Sequence, residues 1–200
     1  TKRVPVNNEL NLGVGNISHD CELNAYYQEL TPAIYHFENN SMGEFDENGI
    51  PYLVDSNAKQ YSIVYVIQYG LINHDLMLKG VDAENKKQIV KKCLDWLEEK
   101  SEDFEDSLVW RSDYNPQYKL PKGWVSAMYQ GQAISLFLRG YQLFGEDRYL
   151  KIAERVFEYF KYDYSEGGAK RIDENGYVWF EEYPSSTPSL VLNGYIYTIL

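Results

Sequence analysis

The chain has 200 residues, of which 44% are hydrophobic, and a formal net charge of −11. A chain of this length buries roughly 70% of its unfolded surface, which is enough for one domain with a substantial core. The acidic balance argues against a nucleic-acid partner, because neutralising phosphates requires an excess of lysine and arginine.

The sequence carries no membrane, metal or cofactor signal. No uncharged apolar run approaches the ~20 residues that cross a bilayer, and the chain does not begin with a basic and then apolar signal segment. Cys21 and Cys93 have the spacing of neither a zinc site nor a disulfide framework, and the three histidines form no paired-ligand pattern. We therefore expect no membrane contact within this chain, no metal and no cofactor. The cellular compartment stays undetermined.

The first part of the chain is predicted to be irregular and to lead into two helices. Residues 1–60 show turn signals at 48–51 and 55–57 without a regular apolar period. Residues 62–78 are largely apolar and predict a buried helix. Residues 82–98 predict an amphipathic helix that begins at a capping aspartate and places Cys93 on its apolar side.

The second part predicts a helical hairpin, a β-hairpin and a last helix. Residues 126–144 are apolar nearly all round, as in an inner helix, and residues 146–162 are amphipathic, as in an outer helix. Residues 169–181 alternate around an Asp-Glu-Asn-Gly turn, which predicts a hairpin. Thr187, followed by proline at the first helical position, predicts the start of a helix. That helix is still apolar at Leu200, and the chain is expected to stop within it.

Alternating buried and amphipathic helices predict a mainly α fold. The arrangement that we favour is an α/α toroid, an incomplete α/α barrel of helical hairpins with a small β-hairpin. An irregular N-terminal segment, residues 1–60, would pack on the toroid formed by residues 61–200. A plain helical bundle is the alternative.

Glu181, Glu182 and Tyr183 follow the second strand of the predicted hairpin. Neighbouring side chains on an extended strand point to opposite faces, so the two glutamates cannot both enter one cavity unless the chain kinks. We predict that one carboxylate is functional and the other structural. For Glu182 and Tyr183 to converge on one ligand, the strand must twist or bulge there, and we predict that it does. The alternative is a solvated hairpin edge.

Two further groups of polar and aromatic residues are candidate ligand contacts. Ser126, Gln130 and Gln132 lie at the start of an otherwise apolar helix. Buried polar groups need partners, so these side chains are predicted to face a cavity or ligand, or to hydrogen-bond to a neighbouring helix.

A row of tyrosines is the second group. Tyr61, Tyr65 and Tyr69 share one helix face by their four-residue spacing, with Gln68 beside them. Tyrosine combines a flat apolar ring with a hydroxyl, and the chain contains 19 of them. The row predicts either a wall on which sugar rings stack or an aromatic stripe of the core.

The motifs occur in the order seen in the D-glucuronyl C5-epimerases, and the chain resembles their C-terminal domain from about residue 50 to its end. The segments that carry the resemblance are Gln68-Tyr69-Gly70-Leu71, Gly123-Trp124, Ser126-Ala127-Met128, Gln130-Gly131-Gln132-Ala133-Ile134-Ser135, Glu181-Glu182-Tyr183-Pro184, Pro188-Ser189 and Val191-Leu192-Asn193-Gly194.

The resemblance implies an α/α toroid whose cleft binds a uronic-acid polysaccharide. It implies that Glu182 handles the proton at C5 and that Tyr183 is an active-site tyrosine. The expected substrate-binding residues are Tyr61, Tyr65, Gln68, Tyr69, Trp124, Ser126, Gln130, Gln132 and Asn193. The family uses two further tyrosines downstream of the last predicted helix, which this chain is expected to lack. The sequence leaves open whether the chain forms a homodimer.

The implied reaction is C5-epimerisation of D-glucuronic acid to L-iduronic acid in a heparosan-like polysaccharide. It requires an acid and a base on opposite ring faces and a group that stabilises the enolate. Two other functions stay open. A uronic-acid polysaccharide lyase of the same architecture starts with the same proton abstraction, and a catalytically silent glycan-binding module would only bind.

Overall fold

A computed structural model describes residues 13–14, 23–39, 43–55, 58–113 and 118–200. The fold is mainly helical with several small antiparallel sheets. It divides into two compact units, Thr1–Leu97 and Glu98–Leu200. No helix in the described parts of the chain is both long and apolar enough to span a bilayer.

The first unit combines short strands with helices. Its elements are β1 (Gly13–Val14), β2 (Gln28–Glu29), α1 (Ile34–Glu38), β3 (Glu44–Phe45), β4 (Pro51–Asp55), β5 (Ala58–Gln60), α2 (Ile63–Leu78) and α3 (Ala83–Lys100). The last three residues of α3 belong to the second unit. β1 pairs with β2, and β3, β4 and β5 form a three-stranded sheet in that order. The prediction that residues 1–60 are irregular is therefore wrong for their described part.

The turn predicted at 48–51 is confirmed and connects β3 to β4. The Asp46 carboxylate accepts hydrogen bonds from the backbone of Asn48 at 2.9 Å and of Ile50 at 2.8 Å. Gly49 supplies the positive φ of +81° that the turn needs. Such side-chain-to-backbone bonds reverse the chain within a few residues, and Pro51 can then begin β4. The turn predicted at 55–57 lies partly outside the described residues.

α2 and α3 confirm the two helices predicted for this part of the chain. α2 begins one residue after the predicted start, and α3 extends two residues past the predicted end. Val66, Ile67 and Leu71 of α2 and Val90, Leu94 and Leu97 of α3 are fully buried, and Cys93 is the buried thiol expected from its position on the apolar side of α3. Burial raises the pKa of that thiol to about 12.

Besides the end of α3, the described residues of the second unit form two β-hairpins and three α-helices. Its elements are β6 (Glu102–Phe104), β7 (Ser107–Val109), α4 (Ala127–Phe144), α5 (Asp147–Glu158), β8 (Lys170–Ile172), β9 (Val178–Phe180) and α6 (Leu192–Ile199). α4 and α5 form a helical hairpin that turns at Gly145, whose φ is +68°. One core cluster of this unit is formed by Val109, Val125, Ala127, Tyr159 and Ala169.

The last helix begins later than the sequence indicates. The prediction that Thr187 caps it is wrong, because α6 starts at Leu192. The residues between Thr187 and Leu192 are not helical. Leu190 has a positive φ of +46°, and the backbone amides of Ser189 and Leu190 donate hydrogen bonds to the Glu181 carboxylate. These bonds compete with a first helical turn.

α6 packs directly on α4 at a glycine. A Cβ atom on Gly131 would lie 2.4 Å from the carbonyl oxygen of Thr198, so only a residue without a side chain permits this approach. The close contact brings the first part of α4 and the chain around α6 into one region of the second unit.

Candidate active site

The two glutamates after β9 have opposite environments. β9 ends at Phe180, and the chain bends at Glu182 and Tyr183. The Glu181 backbone donates to Ala169 at 2.8 Å and accepts from Ala127 at 3.1 Å. These two bonds join the end of the hairpin to the start of α4.

Glu181 is a buried structural carboxylate. Its Oε1 accepts from the Arg171 guanidinium at 2.9 Å and from the Ser189 backbone at 3.2 Å, and its Oε2 accepts from the Ser189 hydroxyl at 2.5 Å and the Leu190 backbone at 3.1 Å. Arg171 also donates to the carbonyl of Ser185 at 2.7 Å. This network fixes the irregular chain between the hairpin and α6.

Glu182 is buried without such partners. Its side chain belongs to a residue only 5% exposed, and Oε2 has no hydrogen-bond partner among the described residues. Burial raises the pKa of the carboxyl, and the Tyr183 hydroxyl lowers it in part. Buried polar atoms normally have partners, so an unpaired carboxylate oxygen is a feature typical of a ligand site.

Gly194, in the first turn of α6, leaves room for the Glu182 carboxyl. A Cβ atom there would lie 2.2 Å from Oε2 of Glu182 and 2.8 Å from its Cδ. The carboxyl therefore packs on the backbone of α6, and a larger residue would displace it.

Aromatic rings surround Tyr183. Tyr118 stacks on it with ring centroids 4.3 Å apart and an interplanar angle of 11°, and Trp124 lies 5.5 Å away. Burial and the adjacent Glu182 carboxyl raise the pKa of Tyr183 above its ordinary value. The phenol therefore keeps its proton at neutral pH.

Tyr129 extends this aromatic group along α4. Its ring lies 5.8 Å from that of Trp124, and its side chain is half-buried. Burial and then the charge of Glu182 raise the pKa of Tyr129 to about 12. Tyr118, Trp124, Tyr129 and Tyr183 are called the aromatic cluster below.

The remaining candidates on α4 differ in their surroundings. The Gln130 amide donates to the carbonyl of Leu108 at 2.8 Å and accepts from the Trp110 backbone at 3.4 Å, so its described contacts tie α4 to the chain around β7. Gln132 is fully buried. Ser126 is also fully buried, and its hydroxyl has no hydrogen-bond partner among the described residues.

Asn193 differs from these buried residues in its exposure. It is exposed in the first turn of α6.

Two tyrosines of the predicted row, Tyr65 and Tyr69, pack against other aromatic side chains of the first unit. Tyr69 is 7% exposed and packs on Phe37 and Phe45, with centroid distances of 5.0 and 5.2 Å. Tyr65 contacts Phe37 edge-on at 6.2 Å. These contacts favour the aromatic-core alternative for both side chains.

Tyr61 does not lie on the helix with Tyr65 and Tyr69. It precedes α2 by two residues, and its hydroxyl donates to the Asp46 carboxylate at 2.8 Å. The prediction that four-residue spacing places all three on one helix face is therefore wrong for Tyr61. Gln68 lies within α2 and is half-buried.

Sequence reasoning did not select Tyr118, Tyr129 and Gly194 as site residues. Tyr129 follows the helical pattern of a core residue, and Tyr118 lies in a loop. Only their positions could have indicated two of them. Tyr129 lies among the polar residues Ser126, Gln130 and Gln132 at the start of an otherwise apolar helix, and Gly194 follows Asn193.

Comparison with known proteins identifies the second unit. Residues 102–200 match the model of the D-glucuronyl C5-epimerase C-terminus. The chain is 41% identical over 92 residues to a D-glucuronyl C5-epimerase of Caenorhabditis elegans, a match that covers 46% of this chain and 15% of that protein. It is 30% identical over 148 residues to an uncharacterized protein of Methanocaldococcus jannaschii, covering 72% of this chain and 44% of that protein.

The chain spans less than half the length of either relative. The matched region contains both hairpins, α4 to α6, the two glutamates and the aromatic cluster. Residues 102–200 of this chain therefore represent the C-terminal domain of the D-glucuronyl C5-epimerase family.

Proposed function

We propose that this chain is an epimerase that converts D-glucuronic acid to L-iduronic acid within a heparosan-like polysaccharide, by removing and returning the proton at C5. The observation that carries the proposal is the buried Glu182 carboxyl, with an unpaired oxygen, in the part of the chain that matches the family. Family membership supports epimerase chemistry, and the geometry around Glu182 supports this residue as its base.

The raised pKa suits Glu182 to proton abstraction. A base works best when its pKa lies near the working pH, and burial moves the Glu182 pKa upward in that direction. In the proposed step the C5–H bond breaks, the proton passes to the carboxylate of Glu182, and the electron pair spreads onto the C6 carboxyl group as an enolate.

Inversion requires a proton to return to C5 from the opposite ring face. A protonated phenol is suited to this role, and Tyr183 is the phenol next to Glu182 whose pKa is raised. We propose that the sugar ring enters between the two side chains and replaces their mutual interaction. The proton then moves from the phenol to C5 as the enolate electron pair forms the new C–H bond.

The architecture proposed for this function is the α/α toroid of residues 61–200, with residues 1–60 packed on it. The largely buried α2 and the mostly buried α4 each precede an amphipathic helix, α3 or α5, and this alternation supports the proposal. Of the expected contacts within the matched region, Trp124, Ser126, Gln132 and Asn193 stay proposed substrate contacts.

The test is exchange of the C5 hydrogen for solvent deuterium on unsulfated heparosan, followed by NMR or mass spectrometry. The protein should incorporate deuterium at C5 without cleaving the polymer. Glu182→Gln should lower the exchange rate at least roughly a hundredfold, because it removes the base. Glu174→Gln, which changes an exposed glutamate at the tip of the β8–β9 hairpin, should leave the rate unchanged.

Three outcomes would contradict the proposal in different ways. An absorbing unsaturated uronide would identify a lyase. Binding of the polymer with no exchange would identify a glycan-binding module. Exchange that persists in Glu182→Gln would leave the reaction in place and remove Glu182 as its base.

A further inference from the structure

Tyr129 lies beside the proposed base through backbone contacts. The Ala127 amide, in the first turn of α4, donates to the carbonyl of Glu181 at 3.1 Å. Tyr129 follows the donor by two residues, and Glu182 follows the acceptor by one. The ring of Trp124 lies 5.8 Å from Tyr129 and 5.5 Å from Tyr183, so it joins the two phenols into one group.

The phenol of Tyr129 differs from other tyrosines of this chain. The hydroxyls of Tyr52, Tyr61 and Tyr162 each donate to a carboxylate, at 2.8, 2.8 and 2.7 Å. Among the described residues, no protein acceptor contributes a hydrogen bond to the Tyr129 hydroxyl; burial and the charge of Glu182 act on it instead. Tyr129 therefore offers a protonated donor near a carboxyl whose Oε2 has no hydrogen-bond partner among the described residues.

The proposed reaction needs such a donor. When Glu182 takes the C5 proton, the electron pair moves onto the C6 carboxyl group, whose oxygens then carry more negative charge than in the substrate. A hydrogen bond to these oxygens strengthens as the charge develops, and this lowers the barrier. The donor must keep its proton, because a second anion beside Glu182 would oppose the same step.

We propose that Tyr129 is a further catalytic residue, whose hydroxyl donates a hydrogen bond to the C6 carboxylate of the uronate that reacts with Glu182. This inference rests on the proposed function. Tyr129 keeps its proton throughout: the C5 proton goes to Glu182, and the hydrogen bond only stabilises the enolate oxygens. The carboxylate is thereby the part of the sugar that Tyr129 recognises.

The first test is Tyr129→Phe, which keeps the ring beside Trp124 and removes only the hydroxyl. Loss of one enolate donor should lower kcat for C5 exchange roughly a hundredfold to a thousandfold, with a smaller effect on KM. Tyr141→Phe, the same change farther along α4, is the matched control and should keep the rate of the parent. A kcat for Tyr129→Phe within about threefold of the parent would overturn the proposal.

A second measurement compares the binding of a heparosan oligosaccharide with that of the same oligosaccharide after its carboxyl groups are reduced to alcohols. The parent should prefer the carboxylate form, and Tyr129→Phe should lose most of that preference, about tenfold or more, because a hydrogen bond to a charged group is lost. A purely structural role of Tyr129 would weaken both ligands equally. An undiminished preference in the variant refutes the contact.

The two measurements separate the failures. If the parent shows no exchange, the proposed function fails, and the binding comparison still decides whether Tyr129 contacts the carboxylate. If the parent exchanges and Tyr129→Phe matches it in both measurements, the function stands and the role of Tyr129 is refuted.

Discussion

At the scale of single residues, Glu182 combines a proposed catalytic role with an unfavourable position for folding. Burial disfavours the charged form of this carboxyl, whose Oε2 has no hydrogen-bond partner among the described residues, and its pKa is raised although the Tyr183 hydroxyl lowers it in part. A raised folded-state pKa means that stability is fully present below the unfolded-state pKa and is lost as the pH rises through the folded-state pKa. The native protein therefore loses stability in the pH range where Glu182 becomes a base.

Glu182→Gln should reverse this loss. The amide cannot ionise, so the variant should have a higher Tm than the parent at pH 8, while the difference should shrink toward pH 4, where both side chains are neutral. Each kcal/mol of stability gained would raise Tm by roughly 2–4 °C in a chain of this size. Thermal melts of both proteins at several pH values measure the effect. A variant that is less stable than the parent at pH 8 would contradict the assignment of Glu182 as a desolvated acid.

At the scale of elements, the neighbouring Glu181 should behave in the opposite way. It is paired with Arg171 and accepts three further bonds from Ser189 and Leu190, so its charge is compensated. Glu181→Gln leaves the half-buried Arg171 without its anion and should destabilise the protein by roughly 3 kcal/mol. Chemical denaturation compares the variant with the parent and with Glu174→Gln. A loss below about 0.5 kcal/mol, the usual effect of a surface change, would show that the network does not hold the connection between β9 and α6.

The element scale also shows what the sequence can predict. The helices α2 and α4 and the β8–β9 hairpin follow from apolar periodicity and a turn motif, which are local. The start of α6 does not, because it is decided by Glu181 hydrogen bonds to residues eight and nine positions later. The strands before α2 were missed because they are two to five residues long, too short for an alternating pattern.

The candidate site, like the fold, could be predicted only in part from the sequence. The prediction that one glutamate is functional and the other structural follows from strand geometry; Glu181 is tied into a structural network, and the bend at Glu182 and Tyr183 is present. The role of Glu182 depends on the family resemblance. Tyr118 and Tyr129 were not selected, because an aromatic residue at a helical or loop position has the same sequence signal whether it packs or binds.

At the scale of the whole molecule, net charge should govern the encounter with substrate. The chain carries −11, and a uronic-acid polymer is also an anion, so the two repel at long range. Screening shortens the range of this repulsion from about 30 Å at 0.01 M salt to about 8 Å at 0.15 M. We therefore expect kcat/KM for C5 exchange on heparosan to rise when salt is increased across this range.

Exchange rates at low substrate concentration, measured in a sodium chloride series, check this expectation. The value of kcat at saturating substrate should change less, because repulsion acts mainly before binding. An uncharged osmolyte at matched osmolality serves as the control. A steady fall of kcat/KM with salt would instead indicate that a local basic surface attracts the polymer.

The glycine contacts of α6 have a consequence for altering this protein. Gly131 places α4 against the backbone of Thr198, and Gly194 places α6 against the Glu182 carboxyl, so both sides of the helix are set without side chains as spacers. Libraries that seek new sugar specificity should therefore keep these two positions fixed. Substitutions are better introduced at Tyr118, which stacks on Tyr183 from outside the helices and strands.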